Sequence, residues 1–283
     1  MSTSPSSNAQ AARAALAGRL GELMRDAGLK GGELSVLCGW HHAKTSRILN
    51  ARAPISDADI RTWCHACGAD DRQAEDLVAA NRAADSLYVE WRRITRTGLR
   101  HAQQARVPLY VRTSRFHAYS SRVVPGALQT KGYAGALLRM VADVRRTPDD
   151  VSDAVDARLA RSRIVFDGGR RLVVVLEESV LRYRVGDEAV MAGQLGHLLT
   201  VMSLPSVSLG IIPFTAARTV WPTESFNVFD DRQAGTELLS AQVTVTAPTD
   251  VALYMQVFAR FAGLAVHGAA ARTLITTAID ALG

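Results

Sequence analysis

The feature that most constrains this chain is the stretch Glu33–Arg52, which divides into two short apolar stripes at Gly39. The positions spaced for the inner faces of two short helices are Leu34 and Leu37 before the glycine, then Ile48 and Leu49 after it. Two helices joined by a tight turn form a helix-turn-helix, whose second helix lies in the major groove of DNA. The stretch therefore predicts a DNA-binding motif.

The polar residues of this motif are the candidate contacts with DNA. Donor side chains at the start of the second helix are placed for base edges, and cations beside the motif are placed for phosphates. A solvated polar helix face is the alternative that the pattern leaves open. The candidate residues are Lys30, His41, His42, Lys44, Thr45, Arg47 and Arg52.

The residues around the motif predict a small all-helical domain. A stripe of leucines in 10–27 has helical spacing, and Ser56 and Asp57 are typical of a helix start. We expect a disordered tail over 1–9 and a helix-turn-helix domain over 10–86. Residues 87–104 are expected to form one amphipathic helix after the domain boundary.

The rest of the chain, residues 87–283, mixes both kinds of element. Val- and Leu-rich segments at 171–181 and 207–213 predict strands, and a hairpin is expected from 225–230 and 237–243 with its turn at 233–235. Helices are expected near 130–144, 187–202, 249 and 269. The predicted fold class is multidomain: an all-α helix-turn-helix domain, then an α+β domain with a small sheet covered by helices.

The positive charge of the chain is not on the helix-turn-helix. Residues 1–86 hold ten basic and ten acidic side chains, whereas 87–170 hold sixteen basic and seven acidic ones. The basic run between Arg92 and Arg122 is interpreted as a solvated face, as extra phosphate contacts, or as the lining of an anion site.

The composition also limits the cellular setting. No apolar run reaches the roughly 18 residues of a membrane span, so a cytoplasmic protein without membrane contact is expected. The three cysteines do not make a disulfide framework. Cys64-His65-Ala66-Cys67 has the spacing of half a zinc site, but no second ligand pair follows, and small buried thiols are the favoured interpretation. No cofactor or metal is predicted.

The second domain offers a candidate ligand pocket instead of a catalytic motif. The sequence lacks a nucleophile elbow, a P-loop, an HExxH motif and a strand-associated GxGxxG motif, so no catalytic residue is assigned. Pockets combine apolar walls with a few polar groups, although core packing or dimer contact explains each candidate equally well. The candidate ligand-binding residues are Tyr119, Gln129, Tyr133, Trp221, Glu224 and Phe226.

Two sets of motifs resemble known regulator domains. The segment 39–48, with Asn50 and Arg52, resembles the Xre (lambda-repressor-like) helix-turn-helix. Short motifs in the second domain resemble the C-terminal domain of WhiJ-type actinomycete regulators. These motifs lie at 125–130 with Tyr133, 176–178 with Leu181, 194–199, 204–205, 212–214 and 253–275.

The resemblance implies a transcriptional regulator that binds double-stranded operator DNA, usually as a homodimer. It places base contacts at His41, His42, Lys44 and Thr45. It also implies that a small-molecule effector or a small partner protein acts through the C-terminal domain. The alternative is a small-molecule-binding protein or biosynthetic enzyme built on a regulator fold with a vestigial helix-turn-helix, since Gly31 and Gly32 weaken the first helix of the motif.

Overall fold

The computed structural model of the chain describes residues 5–83, 88–167 and 169–283, without the side chains of 5–12, 82–83, 88–90 and 92–93. The chain forms two compact units. The first comprises Met1–Tyr88 and Thr244–Ala252, and the second comprises Val89–Val243 and Leu253–Gly283. The predicted domain boundary near residue 87 stays a prediction.

The first unit is helical, as the sequence predicts. Its helices are α1 (Pro5–Asp26), α2 (Gly31–Leu37), α3 (His42–Leu49), α4 (Asp57–Ala66) and α5 (Asp71–Ala83). Leu20, Leu34, Ile60 and Trp63 are wholly buried in its core. The indole Nε1 of Trp63 donates to the Leu20 carbonyl at 3.1 Å, so α4 and α1 are joined by a hydrogen bond as well as by packing.

The N-terminal prediction differs from the structure. The sequence predicts a disordered tail over 1–9, whereas α1 begins at Pro5, and residues 1–4 lie outside the described part. Proline is compatible with the first turn of a helix because its fixed φ is already helical and its missing N–H is not needed there.

The second unit contains both strands and helices. In chain order its helices are α6 (Trp91–Ile94), α7 (Leu99–Gln104), α8 (Val107–Arg112), α9 (Lys131–Arg145), α10 (Val151–Arg163), α11 (Glu178–Arg182), α12 (Glu188–Val201), α13 (Pro248–Leu264) and α14 (Gly268–Asp280). The first residues of α13, up to Ala252, belong to the first unit. The strands are β1 (Tyr88–Glu90), β2 (Arg115–Ser120), β3 (Arg171–Glu177), β4 (Val207–Ile212), β5 (Phe226–Phe229), β6 (Gln233–Glu237) and β7 (Ala241–Val245). The α-then-α+β architecture is confirmed.

Within the described residues these strands form one mixed sheet in the order β1-β7-β6-β5-β2-β3-β4. β3 pairs in parallel with both β2 and β4, and β5 pairs antiparallel with both β2 and β6. The parallel part is buried, with Val174, Val175 and Leu176 almost inaccessible. Because β2 and β3 are parallel, their carboxyl ends lie at the same edge of the sheet, with Ser120 opposite Leu176.

Two element predictions are wrong. The hairpin turn lies at 230–232, because Asp230 and Asp231 take positive φ angles of 51° and 55°, and β6 includes the residues predicted to turn. Aspartate tolerates this conformation better than most residues.

The expected single helix over 87–104 is also wrong, since Gly98 interrupts it with a φ of 103°. The carboxylate of Asp150 then accepts the N–H groups of Leu99 and Arg100 at 2.9 and 2.8 Å, which starts α7 as a separate helix.

Candidate nucleic-acid interface

The turn between α2 and α3 has the geometry of a helix-turn-helix. Gly39 has a φ of 67°, a conformation that glycine adopts without strain. Its N–H donates to the Val36 carbonyl at 3.1 Å, and the N–H of Trp40 reaches back to the Ser35 carbonyl at 2.8 Å. These two bonds end α2 and direct the chain into α3.

The first turn of α3 presents two histidines to solvent. His41 caps the helix, since its Nδ1 accepts the N–H of Ala43 at 3.2 Å, and His42 is the first helical residue. Both side chains are exposed. An exposed imidazole at the N-terminus of the second helix is placed where base edges are contacted in this motif.

The cations predicted beside the histidines are on the surface. Arg47 is exposed, and its Nε donates to the Ala43 carbonyl at 3.2 Å. Arg52 and Lys30 are exposed as well. The Lys30 N–H donates to the Glu33 carboxylate at 2.7 Å, which satisfies one of the free donors at the start of α2.

Thr45 is buried, which corrects the expectation that its hydroxyl is available for a base contact. Its side chain is 1% exposed, and its hydroxyl accepts a 2.7 Å hydrogen bond from Ser35. Ser35 was not predicted as important, yet this bond joins α2 to α3 inside the motif. The sequence does not predict this bond, because the inward or outward position of a single polar residue such as Thr45 cannot be assigned in a helix as short as α3.

Lys44 is less available than the sequence suggests. Its Nζ donates to the Asp59 carboxylate at 2.7 Å and lies 4.1 Å from the centroid of the Trp40 ring. The Lys44 side chain is 38% exposed. Partial burial of Asp59 opposes its ionisation, but hydrogen bonds from Lys44 and Ser56 hold its pKa below the ordinary value. Much of the Lys44 charge is therefore neutralised inside the unit.

The apolar side of α2 differs from the prediction. Leu34 is fully buried, but Leu37 is 60% exposed and Val36 is 80% exposed. The helix ends at Leu37 and the chain turns at once, so Leu37 has no facing helix to pack against. A Cβ atom at Gly32 would meet nothing within 4 Å, and one at Gly31 would make only ordinary contacts with Leu49 and Thr45, so packing does not require glycine at either position.

The predicted ligand residues of the second unit divide into separate places. Tyr119 donates to Glu177 at 2.6 Å, and the guanidinium of Arg218 binds the same carboxylate at 2.8 and 2.5 Å. Phe261 stacks on Tyr119 with ring centroids 3.9 Å apart. This network lies at the carboxyl edge of β2 and β3, and its polar groups satisfy one another.

Phe226 packs beside that network, with its ring centroid 5.6 Å from Tyr119 and 4.9 Å from Tyr254. Tyr254 donates to Glu224. Three predicted ligand residues, Tyr119, Glu224 and Phe226, are therefore brought into one region, although their role in ligand binding stays a prediction.

The other three candidates lie elsewhere. Tyr133 is fully buried, and its hydroxyl accepts the N–H of Val124 at 3.2 Å, which is a core role. Trp221 is 74% exposed. Gln129 is buried and accepts a 2.7 Å hydrogen bond from Arg158. Arg158, Arg218 and Glu177 were not predicted, because no motif relates residues so distant in sequence.

The thiols of the first unit are held protonated. Burial raises the pKa of Cys64 and that of Cys67 to about 11 each. A metal would need the thiolate forms. Within the described residues, no group of three or more His, Cys, Asp or Glu is arranged to hold a metal ion.

Comparison with known families agrees with this division of the molecule. Residues 15–77 match a model described as a helix-turn-helix domain. Residues 109–277 match a family described as a domain of unknown function, DUF5753, over more than half of the chain. The chain belongs to the DUF5753 family. No curated protein and no solved structure matches it.

The match to a helix-turn-helix domain agrees with the geometry of α2 and α3, and this domain type indicates DNA binding and regulation. The DUF5753 match covers β2 to β7 and most of the helices of the second unit. No helix among the described residues has the length and apolar character to cross a membrane.

Proposed function

We propose that the protein is a transcriptional regulator that binds operator DNA through α3 and is controlled by a small molecule through its DUF5753 domain. The observation that supports it most is the first turn of α3. There His41 and His42 are exposed, and the helix is held by the Ser35–Thr45 bond and by the glycine turn. A rigid helix with free donors is the arrangement that reads base edges.

The DNA contacts divide into two kinds. His41 and His42 are assigned to base edges, while Arg47, Arg52 and Lys30 are assigned to phosphates because they are exposed cations beside the motif. Lys44 is assigned mainly to the Asp59 and Trp40 contacts that support α3.

The proposal includes the finer family assignment. We place the motif in the Xre (lambda-repressor-like) group and the second domain in the WhiJ type, and both are supported by the quoted sequence motifs. That resemblance implies a homodimer, which would bind two half-sites about one helical turn apart. A small partner protein instead of a small molecule is the alternative source of control.

The experiment is a titration of the protein's own upstream DNA against a scrambled duplex, followed by fluorescence anisotropy. We expect at least a hundredfold preference for the upstream DNA and a strong loss of affinity with salt. His42→Ala should reduce the preference by about tenfold, the usual weight of one base contact. His65→Ala, an exposed histidine at the end of α4, is the matched control and should change nothing.

Equal affinity for both duplexes, with no effect of His42→Ala, would rule out sequence reading by α3. Such a result would favour the alternative of a small-molecule-binding protein or enzyme with a vestigial helix-turn-helix.

A further inference from the structure

The second unit contains a cluster of four arginines around a single carboxylate. Arg106 lies before α8, Arg145 ends α9, and Arg158 and Arg161 lie one turn apart on α10. The carboxylate is Glu237 of β6, which Arg106 binds at 2.8 Å. We call these four residues the arginine cluster. Four guanidinium groups against one carboxylate leave an excess of three positive charges.

The other contacts of the cluster are to neutral groups. Arg106 also donates to the Gln242 amide oxygen at 2.9 Å. Arg145 lies over the ring of Trp91 at 4.0 Å, and Arg161 lies over Tyr110 at 4.9 Å. Among the described residues, Arg145, Arg158 and Arg161 form no ion pair. No direct ion pair with another described side chain therefore compensates their charge.

Two of the arginines share one acceptor. The Gln103 amide oxygen accepts from Arg158 Nε at 3.2 Å and from Arg161 Nη1 at 2.9 Å, and Gln129 accepts from Arg158 at 2.7 Å. Arg161 is 3% exposed, yet its Nε is buried without a hydrogen-bond partner. A buried guanidinium donor without an acceptor costs free energy, and a ligand oxygen that accepted from it would recover that cost.

The titration behaviour agrees with uncompensated charge. Burial, followed by repulsion from Arg161 and Arg106, lowers the pKa of Arg158 to about 10. Burial lowers the pKa of Arg161 as well. Like charges held this close are typical of functional sites, where stability is given up for binding.

We propose that the arginine cluster binds a small multivalent anion that bears phosphate or carboxylate groups. Planar guanidinium groups bind the paired oxygens of both chemistries. A small ligand is favoured over a duplex because Arg161 is 3% exposed and the Arg106 side chain is 29% exposed. The phosphates of a stiff duplex do not reach a guanidinium at that depth.

The biological role of the anion rests on the proposed control of the regulator by an effector. Its binding to the arginine cluster does not depend on DNA. Gln129, a predicted ligand residue, is part of this site through its bond to Arg158. The cluster thus gives the proposed control a location and a ligand chemistry.

The test is isothermal titration calorimetry of the full chain, without DNA, at constant ionic strength. One arm uses inorganic pyrophosphate and the other uses citrate, so that the two sources of the anion are distinguished. We expect saturable binding in at least one arm, weakened at least tenfold by Arg158→Gln. Arg145→Gln removes a less buried cation and should weaken anion binding as well. This variant replaces Arg158→Gln in the test if Arg158→Gln does not fold.

The matched control is Arg115→Gln. Arg115 is an exposed arginine of the same unit whose charge is already paired with Asp231 at 2.8 Å. It should bind the anion like the wild type.

The proposal is overturned if neither anion binds up to millimolar concentration, or if Arg158→Gln and Arg145→Gln bind as the wild type does. It is also overturned if these variants lose duplex affinity while pyrophosphate and citrate have no effect, because the cluster would then be a DNA contact. Failure of DNA binding alone leaves the calorimetry unchanged, so the two proposals fail separately.

Discussion

The two basic regions of the molecule handle positive charge in opposite ways. In the helix-turn-helix, Lys44 of α3 is paired with Asp59. Arg47 and Arg52 are exposed on the surface of the same motif. In the second unit, the four guanidinium groups of the arginine cluster are partly or wholly buried and outnumber their one carboxylate, Glu237. Surface cations suit a long polyanion such as DNA, whereas buried excess charge suits a small anion.

The difference shows that charge along the sequence does not locate a binding site by itself. Residues 1–86 have no net charge, yet Lys30, Arg47 and Arg52 are exposed beside the helix-turn-helix. The excess in 87–170 is larger, but Arg115 and Arg100 of that run are paired with Asp231 and Asp153. Only the three-dimensional pairing decides which cations are available.

The largest expected effect comes from disturbing the support of the arginine cluster. Gly98→Ala places a Cβ atom in a steric clash with the Asp150 carboxylate at a φ of 103°, so the variant should lose the cap of α7. We expect the free energy of unfolding to fall by about 3 kcal/mol, from backbone strain plus the lost cap.

Chemical denaturation measures this loss, and anion binding should weaken with it, because Gln103 lies on α7. Gly196→Ala in α12, where a Cβ atom meets nothing within 4 Å, is the control and should stay within about 1 kcal/mol of the wild type. Equal stability of the two variants would show that Asp150 does not organise this region.

The next effect separates support from recognition in the helix-turn-helix. Thr45→Val removes the acceptor of the Ser35 hydroxyl, which keeps its bond to the Gly31 carbonyl at 2.7 Å. The unfolding free energy should fall by about 1 kcal/mol, the net value of one hydrogen bond. The folded variant should keep the wild-type preference for upstream DNA over the scrambled duplex. A lost preference in the anisotropy titration would mean that Thr45 contacts bases after all.

A smaller effect is expected from releasing Lys44. Asp59→Asn removes the partner of the lysine, so one more cation becomes free beside the phosphates. The salt dependence of DNA affinity should steepen by up to about 0.9 in the log–log slope. The unfolding free energy should fall by less than about 1 kcal/mol, because the pair is partly exposed. An unchanged slope would mean that Lys44 lies outside the reach of DNA.

The smallest effect is a pH dependence that belongs to neither basic region. Burial, aided by Arg115, lowers the pKa of His117, although Asp231 and Asp230 oppose the shift. The ring also packs against Phe258 at 5.1 Å. Below about pH 6.5, His117 is protonated more readily in the unfolded chain than in the folded protein. The free energy of unfolding therefore falls as the pH falls.

The free energy of unfolding, measured by denaturation, should fall between pH 7.5 and pH 5.5. His117→Gln should make this fall smaller, by less than about 1 kcal/mol. The arginines stay charged throughout that range, and a pH dependence that survives the substitution would have to come from another group.

The sequence predicts the parts of the fold that depend on local pattern. Gly39, the leucine stripe of α1 and the Val-rich β3 each determine a nearby backbone conformation, and all three are found in the structure. Helix α9 also has the expected bounds within a residue or two, since Thr130 caps it by accepting the N–H of Tyr133.

The sequence does not predict contacts between distant residues. The Ser35–Thr45 bond, the capping of α7 by Asp150 and the sharing of Gln103 by two arginines depend on the packing of whole elements. The exposure that a DNA contact requires is found at His41, His42, Arg47 and Arg52, but their contact with DNA stays a prediction. The expected exposure was wrong at Thr45, where a partner on another helix decides burial.

The salt dependence of DNA affinity tests the central claim, that DNA and the small anion use different basic regions. Three proteins are titrated with the same duplex: the wild type, the double variant Arg47→Ala with Arg52→Ala, and Arg158→Gln. The double variant should lower the magnitude of the log–log slope by about 1.8, and Arg158→Gln should leave it unchanged. An unchanged slope for the double variant, together with a reduced slope for Arg158→Gln, would contradict the account.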